Sequence, residues 1–283
     1  MSRPEHLAPP EIFYNEDEAK KYTTSTRIAT IQAEMSARAL ELLALPENES
    51  MYILDIGCGS GLSGEIIEEE GHYWVGLDIS DSMLDLAVEK DLEADLFLQD
   101  IGHGLGFRPG TFDGAISVSV LQWLCNADKK INRPLYRLQR FFSTLYSALR
   151  RGARAVFQFY PENDDQVQMI LSTAMKCGFT GGLVIDFPNS KKAKKQYLCL
   201  FAGSAPGSAR SQKLPAAQGI DGEFSAPNSL RTTTRNPKKK GQNRTPVKSK
   251  DWILQKKELN RSRGDKPVPH DSRYTGRKRK TKF

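Results

Sequence analysis

Met51-Tyr-Ile-Leu-Asp-Ile-Gly-Cys-Gly-Ser-Gly61 is the stretch whose reading decides the fold. Met51 to Ile56 reads as a short buried strand, and glycines at 57, 59 and 61 then allow a sharp turn and close approach of a ligand to the backbone. Leu62, Ile66 and Ile67 follow on one face of a helix that ends at Gly71.

The same unit recurs along the chain. Tyr73 to Ile79 is a second strand, with Ser80 or Asp81 as the N-cap of a helix carrying Met83, Leu84 and Val88. Leu96 to Asp100 and Phe112 to Val118 read as the third and fourth strands, and a helix over 132–150 is stopped by Gly152. Ala153 to Tyr160 is the fifth strand and 163–177 another helix. The last two strands, Gly182 to Phe187 and Gln196 to Ala202, stand too close for a helical crossover and form an antiparallel edge hairpin. Ahead of all this, Ile28, Ile31, Met35, Ala39 and Leu42 recur at helical spacing over 25–45. The pattern predicts a mostly parallel seven-stranded α/β sheet with helices on both faces.

Charge divides the chain. Of 41 Lys+Arg and 34 Asp+Glu, the first 203 residues hold 20 and 28, and residues 204–283 hold 21 and 6. An acidic globular domain over 1–203 is expected, followed by a basic, largely disordered tail over 204–283 too poor in apolar residues to offset its ordering entropy. Cys58, Cys125, Cys177 and Cys199 are far apart, with no Cys-x-x-Cys pair, which argues against a zinc site or a disulfide framework. No charged-then-apolar leader is seen and no apolar run approaches ~18 residues, so neither secretion nor a membrane partner is expected.

The glycine turn alone is ambiguous. Gly59-Ser-Gly61-Leu-Ser-Gly64 satisfies the dinucleotide pattern, with Asp78 at the usual distance for a ribose ligand, so NAD is one reading. Asp55, two residues before Gly57, weighs against it, because an acid there repels a pyrophosphate but suits a cationic amino-acid group. Asp78 at the second strand's end suits a ribose diol, and Asp100 at the third suits an adenine amino group. Asp55, Gly57, Gly59, Gly61, Asp78, Ile79, Asp100 and Ile101 are therefore the candidate cofactor residues. With the terminal hairpin, they resemble the nucleoside-binding motifs of Rossmann-like S-adenosylmethionine methyltransferases. That resemblance implies S-adenosyl-L-methionine as the cofactor.

A closer resemblance covers nearly the whole chain. Arg3-Pro-Glu, Pro9-Pro-Glu-Ile-Phe-Tyr14, Leu121-Gln-Trp-Leu-Cys-Asn-Ala-Asp128, Gln158-Phe-Tyr-Pro161, Asn163-Asp-Asp165 and Tyr274-Thr-Gly-Arg-Lys-Arg-Lys280 are similar to the eukaryotic 18S ribosomal RNA guanine-N7 methyltransferases of small-subunit biogenesis. The family implies 18S rRNA and small-subunit precursors as partners, a small zinc-binding activator subunit, and nuclear or nucleolar work. Guanine N7 carries an unprotonated in-plane lone pair, so positioning suffices and no catalytic base is expected.

Trp123, Phe159 and Tyr160, on the strand ends that face the methyl, are candidates to stack on an extruded guanine, and Asn126 to read its edge. Each aromatic taken singly suits core packing better. Leu96-Phe97-Leu98, without charge or proline on an expected edge strand, is the candidate contact for the activator; cover by a loop or by the N-terminal segment is the alternative. In the tail, Lys238-Lys-Lys240 and Arg277-Lys-Arg-Lys280 suit nuclear import, and Trp252, Ile253, Leu254 and Leu259 suit a short helix behind Ser249. The runner-up functions are a methyltransferase of proteins or small molecules and a non-catalytic ribosome assembly factor.

Overall fold

The computed structural model describes residues 3–127, 132–190, 192–203 and 213–219, and beyond them Lys250, Leu254, Lys257, Glu258, Arg261, His270 and Asp271. The chain forms two compact units, Met1–Leu230 and Arg231–Phe283.

The first unit is built on strands β1 (Tyr52–Ile56), β2 (Tyr73–Asp78), β3 (Ala94–Leu98), β4 (Phe112–Val118), β5 (Leu149–Phe159), β6 (Thr180–Asp186) and β7 (Lys195–Phe201). They form one sheet in the order β3-β2-β1-β4-β5-β7-β6. The first five strands pair in parallel, while β7 runs antiparallel to both β5 and β6. The sheet is thus mostly parallel and seven-stranded, with the hairpin at one edge and β3 at the other. Strand order reverses between β1 and β4, and in open α/β sheets the crevice at such a switch point receives the ligand.

Among the described residues seven α-helices accompany it: α1 (Pro10–Phe13), α2 (Glu16–Thr24), α3 (Thr26–Leu43), α4 (Leu62–Glu69), α5 (Asp81–Glu89), α6 (Pro134–Ala148) and α7 (Asp164–Lys176). Alternate strand residues feed two separate cores, because both faces are covered. Leu54, Ile56 and Phe157 join Leu138, Phe141 and Phe142 of α6 on one face, and Ile53, Trp74 and Ile116 join Leu42 and Leu43 of α3 on the other. Truncating Phe142 to alanine would cost about 3–5 kcal/mol, the usual range for a fully buried phenylalanine.

Three sequence expectations move. Gly152 does not stop a helix: α6 ends at Ala148, β5 begins at Leu149, and Gly152 lies inside β5 at φ 91°, beside a register shift in the β4–β5 ladder. The third strand ends at Leu98 rather than at Asp100, which frees Asp100 to cap the 3-10 turn Ile101–His103. The third concerns the boundary at 203. Residues 213–219, beyond it, pack on the first unit, with Leu214 and Ala217 against the α3-side core. Arg38 Nη2 donates to the Ala216 carbonyl at 2.9 Å, and the Gln218 amide donates to Asp186 Oδ1 at 2.8 Å. Composition missed this because Leu-Pro-Ala-Ala is a short apolar run inside a basic segment.

In the second unit Lys250, Leu254, Lys257, Glu258 and Arg261 are helical, and Asp271 pairs with Lys257 at 2.8 Å and with Arg261 at 2.9 Å. Trp252, Ile253, Leu259 and both basic clusters lie outside the described residues. Among the described residues, no helix is long and apolar enough to cross a membrane.

Candidate cofactor and substrate site

The glycine turn is clamped to the second strand. The amides of Gly57 and Cys58 both donate to the Leu77 carbonyl, at 2.7 and 3.0 Å. Gly57 sits at φ 75°, and a Cβ there would meet Val120 Cγ2 at 2.1 Å, so only glycine fits. Gly59, at φ 55°, differs: the nearest atom to a Cβ would be Met83 Sδ at 3.9 Å, so this point of the turn faces open space. Gly61, at φ 79°, heads α4.

Asp78 completes the turn. Its Oδ2 accepts from the Gly59 amide at 2.9 Å and its Oδ1 from the Ser80 amide at 2.8 Å. Burial raises its pKa, and these backbone hydrogen bonds counteract the rise. Each oxygen keeps acceptor capacity for a vicinal diol. Asp100 is held differently: Oδ1 accepts from the Gly102 amide at 2.8 Å and from Arg137 Nη2 at 2.6 Å. Oδ2 has His103 Nδ1 at 3.5 Å.

Asp55 departs from its expected place. It is fully buried beneath the turn and does not line the cleft; Ser63 Oγ donates to its Oδ2 at 2.5 Å. Its Oδ1 has no hydrogen-bond partner among the described residues. Burial pushes this carboxyl up to about 7.

A cleft of about 950 Å³, counting its open mouth, connects these groups. Gly57, Gly59, Asp78, Ile79, Asp100 and Ile101 line it, as do Ser119, Trp123 and Arg137. Ser119 follows β4 at φ 63°, rare for a non-glycine residue; its Oγ donates to Gln158 Oε1 at 2.9 Å, tying the ends of β4 and β5 together.

The N-terminal segment roofs the cleft. Arg3 Nη1 and Nη2 donate to the Tyr160 and Pro161 carbonyls, both at 2.9 Å. Ser80 Oγ donates to the Tyr14 carbonyl at 2.8 Å, and Thr23 Oγ1 lies 2.8 Å from Ser60 Oγ. Pro10, Tyr14, Tyr22 and Gln32 thereby join the lining. Burial, reinforced by Tyr22, Asp78 and Glu5, raises the Tyr14 phenol well above its ordinary range, and burial does the same to Tyr22. Both stay protonated at neutral pH.

Of the four residues expected at the substrate, only Trp123 lines the cleft, its ring 5.9 Å from those of Phe13 and Tyr14. Phe159 is a core residue, 1 % exposed, because it is the last residue of β5 and points into the α6-side core. Asn126 donates from Nδ2 to the Glu5 carbonyl at 3.2 Å, which fastens the N-terminal roof. Tyr160 faces Lys195, whose Nζ lies 2.8 Å from its hydroxyl and 5.1 Å from its ring centroid. Burial pushes the Cys125 thiol up to about 12, so it is no nucleophile. Among the described residues no His/Cys/Asp/Glu group is arranged to hold a metal ion.

Sequence reasoning missed Tyr14, Tyr22, Ser119 and Arg137. Pro9-Pro10 and the Asn15 cap of α2 signalled an ordered N-terminus but not where it folds back. Nothing local distinguished Arg137 from the other cations of its helix.

A family model described as a methyltransferase domain matches residues 54–157. A second, described as the methyltransferase involved in Williams-Beuren syndrome, matches residues 200–281. The 18S rRNA (guanine-N(7))-methyltransferase of Mus musculus is 56% identical over 281 residues, covering 99% of this chain and 98% of that protein. The 18S rRNA (guanine(1575)-N(7))-methyltransferase of Saccharomyces cerevisiae is 54% identical over 284 residues, covering 100% of both. The chain belongs to the 18S rRNA (guanine-N7)-methyltransferase family. Membership extends through the basic tail and includes the docked 213–219 segment, so this methyltransferase's C-terminal region is part of what the family shares. Magnesium protoporphyrin IX methyltransferase of Synechocystis, solved with bound SAM, shares the fold: 17% identity, TM-score 0.50, covering 71% of this chain and 98% of that one.

Proposed function

We propose that this protein transfers the methyl group of S-adenosylmethionine to N7 of a guanine in 18S rRNA during small-subunit biogenesis. The observation that carries the reading is the Gly59–Asp78 bond at the head of a cleft that also reaches Asp100, in a chain of this family. The residues fit the cofactor: open space above Gly59 and two part-satisfied oxygens on Asp78. When bound, S-adenosylmethionine supplies an electrophilic sulfonium methyl.

The chain's own groups bind and orient. Asp78 takes the ribose hydroxyls, Asp100 the adenine amino group, and Ile79 and Ile101 give the ring apolar walls. The Tyr14 and Tyr22 phenols, protonated at neutral pH, offer donors and exclude water under the roof. Trp123, which lines the cleft after β4, is the ring we assign to contact an unstacked guanine. Because N7 needs no deprotonation, holding it in line with the methyl is the catalytic task.

We place the zinc-binding activator at the edge of β3, where Phe97 is 46 % and Leu98 63 % exposed beside an open row of backbone groups. An added strand would cover both. We assign the tail to non-specific RNA binding and nuclear targeting, consistent with its basic clusters. Transfer of labelled methyl groups to 18S rRNA, lost on replacing Gly59 by glutamate, tests the activity; transfer to protein instead of RNA would overturn it.

A further inference from the structure

Charge is segregated between the two helical layers of the first unit. α4 and α5 carry Glu65, Glu68, Glu69, Asp81, Asp85 and Glu89 and no lysine or arginine. Between Asp128 and Glu162, by contrast, the chain has eight lysines and arginines and no acid, although the first 203 residues have a net charge of −8. α6 lies in that stretch and packs on the opposite face of the sheet from α4.

Part of this cation excess is already used. Arg150 pairs with Asp113, and Arg154 donates to the Leu42 carbonyl at 3.2 Å. Arg133, Tyr136 and Arg140 remain on the surface, with Tyr136 62 % exposed. Their spacing of three and then four residues sets them on one helical face. Arg137, beside them, turns inward to line the cleft and hold Asp100. Arg140 Nε donates to the His103 carbonyl at 3.3 Å, in the turn that Asp100 caps, so this face starts at the cleft's rim.

We propose that Arg133, Tyr136 and Arg140 form the surface on which RNA flanking the target guanine docks, the two guanidiniums on phosphates and the phenol ring against an unpaired base. The inference rests on the RNA methyltransferase reading and adds its substrate-approach side. Charge complementarity selects RNA: the acidic α4–α5 surface repels a polyanion, and α6 is a helix without acids, next to the cofactor cleft. An exposed tyrosine between two arginines is the combination that single-stranded RNA binds by stacking and charge together.

The test uses the full-length protein with an 18S rRNA transcript, measuring affinity across salt concentrations and methyl transfer. Arg133→Glu with Arg140→Glu should lower the log–log salt slope by about 1.4, or ~0.7 for each single-strand phosphate no longer neutralised. Tyr136→Ala should weaken binding about tenfold with the slope unchanged, because stacking releases no counterions. Arg133→Glu alone, at an exposed site, should lower the slope by about 0.7 even if the double variant folds poorly. The charge-matched control Lys192→Glu with Lys194→Glu, on the β6–β7 hairpin, should leave the slope within about 0.3 of wild type, well below the effect of one phosphate. An unchanged slope in the α6 variants, or an equal loss in the hairpin control, overturns the docking surface. A wild-type protein that neither binds nor methylates the transcript overturns instead the functional reading beneath it.

Discussion

Arg137 Nη2 lies 2.6 Å from Asp100 Oδ1, so a cation from α6 fixes the acid that caps the Ile101–His103 turn at the edge of the cleft. Arg137 is buried, and a Cβ on Gly102 would meet its Nε at 2.1 Å, so the guanidinium is wedged against the capped turn. Arg137→Met should leave Asp100 without its counter-charge and lower S-adenosylmethionine affinity by about 10–100-fold, the range for removing a charge-assisted hydrogen bond. Calorimetry checks it, and affinity within twofold of wild type contradicts it.

Gly59→Glu should abolish cofactor binding. The substitution puts a second carboxylate beside Asp78 and a side chain at φ 55°, which costs about 1–2 kcal/mol for a non-glycine residue. Gly57→Ala should destabilise the fold itself, because its Cβ would clash with Val120. Thermal melts and titrations separate the two: the first variant loses ligand with a drop of only about 2–8 °C in melting temperature, and the second unfolds at a much lower temperature as well as losing ligand.

These two glycines show what was legible and what was not. The strand–turn–helix order, the edge hairpin and the strand-end acid Asp78 followed from periodicity and from glycine at 57, 59 and 61, because those signals are local; Asp100, expected to end the third strand, instead caps the turn after it. Asp55 was legible as an acid before the turn but not as one sealed beneath it. Phe159 and Trp123 look alike in sequence, two aromatics near strand ends. One faces a core and the other the cleft, and only the crossing of α6 over the sheet decides which. The roof over the cleft was illegible, since its contacts, such as Arg3 to Tyr160, span more than 150 residues.

Stability should fall between about pH 4 and pH 7 on account of Asp55. Its folded pKa of about 7 lies above the unfolded value near 4, so the native state binds the proton more tightly. The stabilisation is complete below about pH 4 and is lost as pH climbs toward 7, on the order of 4 kcal/mol. Asp55→Asn should remove this dependence, so that the variant gains on wild type between about pH 4 and 7 in denaturant titrations. Parallel curves for the two proteins would contradict the assignment.

Truncation after Gly203 should destabilise the first unit, whereas truncation after Leu230 should not. The shorter chain loses the Ala216 and Gln218 bonds to Arg38 and Asp186 and uncovers the surface under Leu214. Removing two hydrogen bonds to a buried charged pair costs about 3 kcal/mol, hence a drop of roughly 6–12 °C in melting temperature. Equal melting points for the two truncations would show that the segment contributes nothing.

Methyl transfer should proceed without a titrating base. The single-turnover rate is expected to stay flat between pH 6 and 8, and Tyr14→Phe or Tyr22→Phe should act mainly on affinity. A rate that follows one ionisation in that window in Asp55→Asn as well as in wild type would require a base that the cleft's protonated phenols and the raised Cys125 thiol do not supply.

Mapping N7-methylguanine in 18S rRNA after depletion of the protein, with rescue by wild type or by Gly59→Glu, tests the central claim most directly. The modification should vanish from one guanine on depletion, return with wild type, and stay absent with the variant at equal protein level. Full restoration of the mark by Gly59→Glu, or its persistence after depletion, would contradict the assignment of this cleft to guanine-N7 methylation.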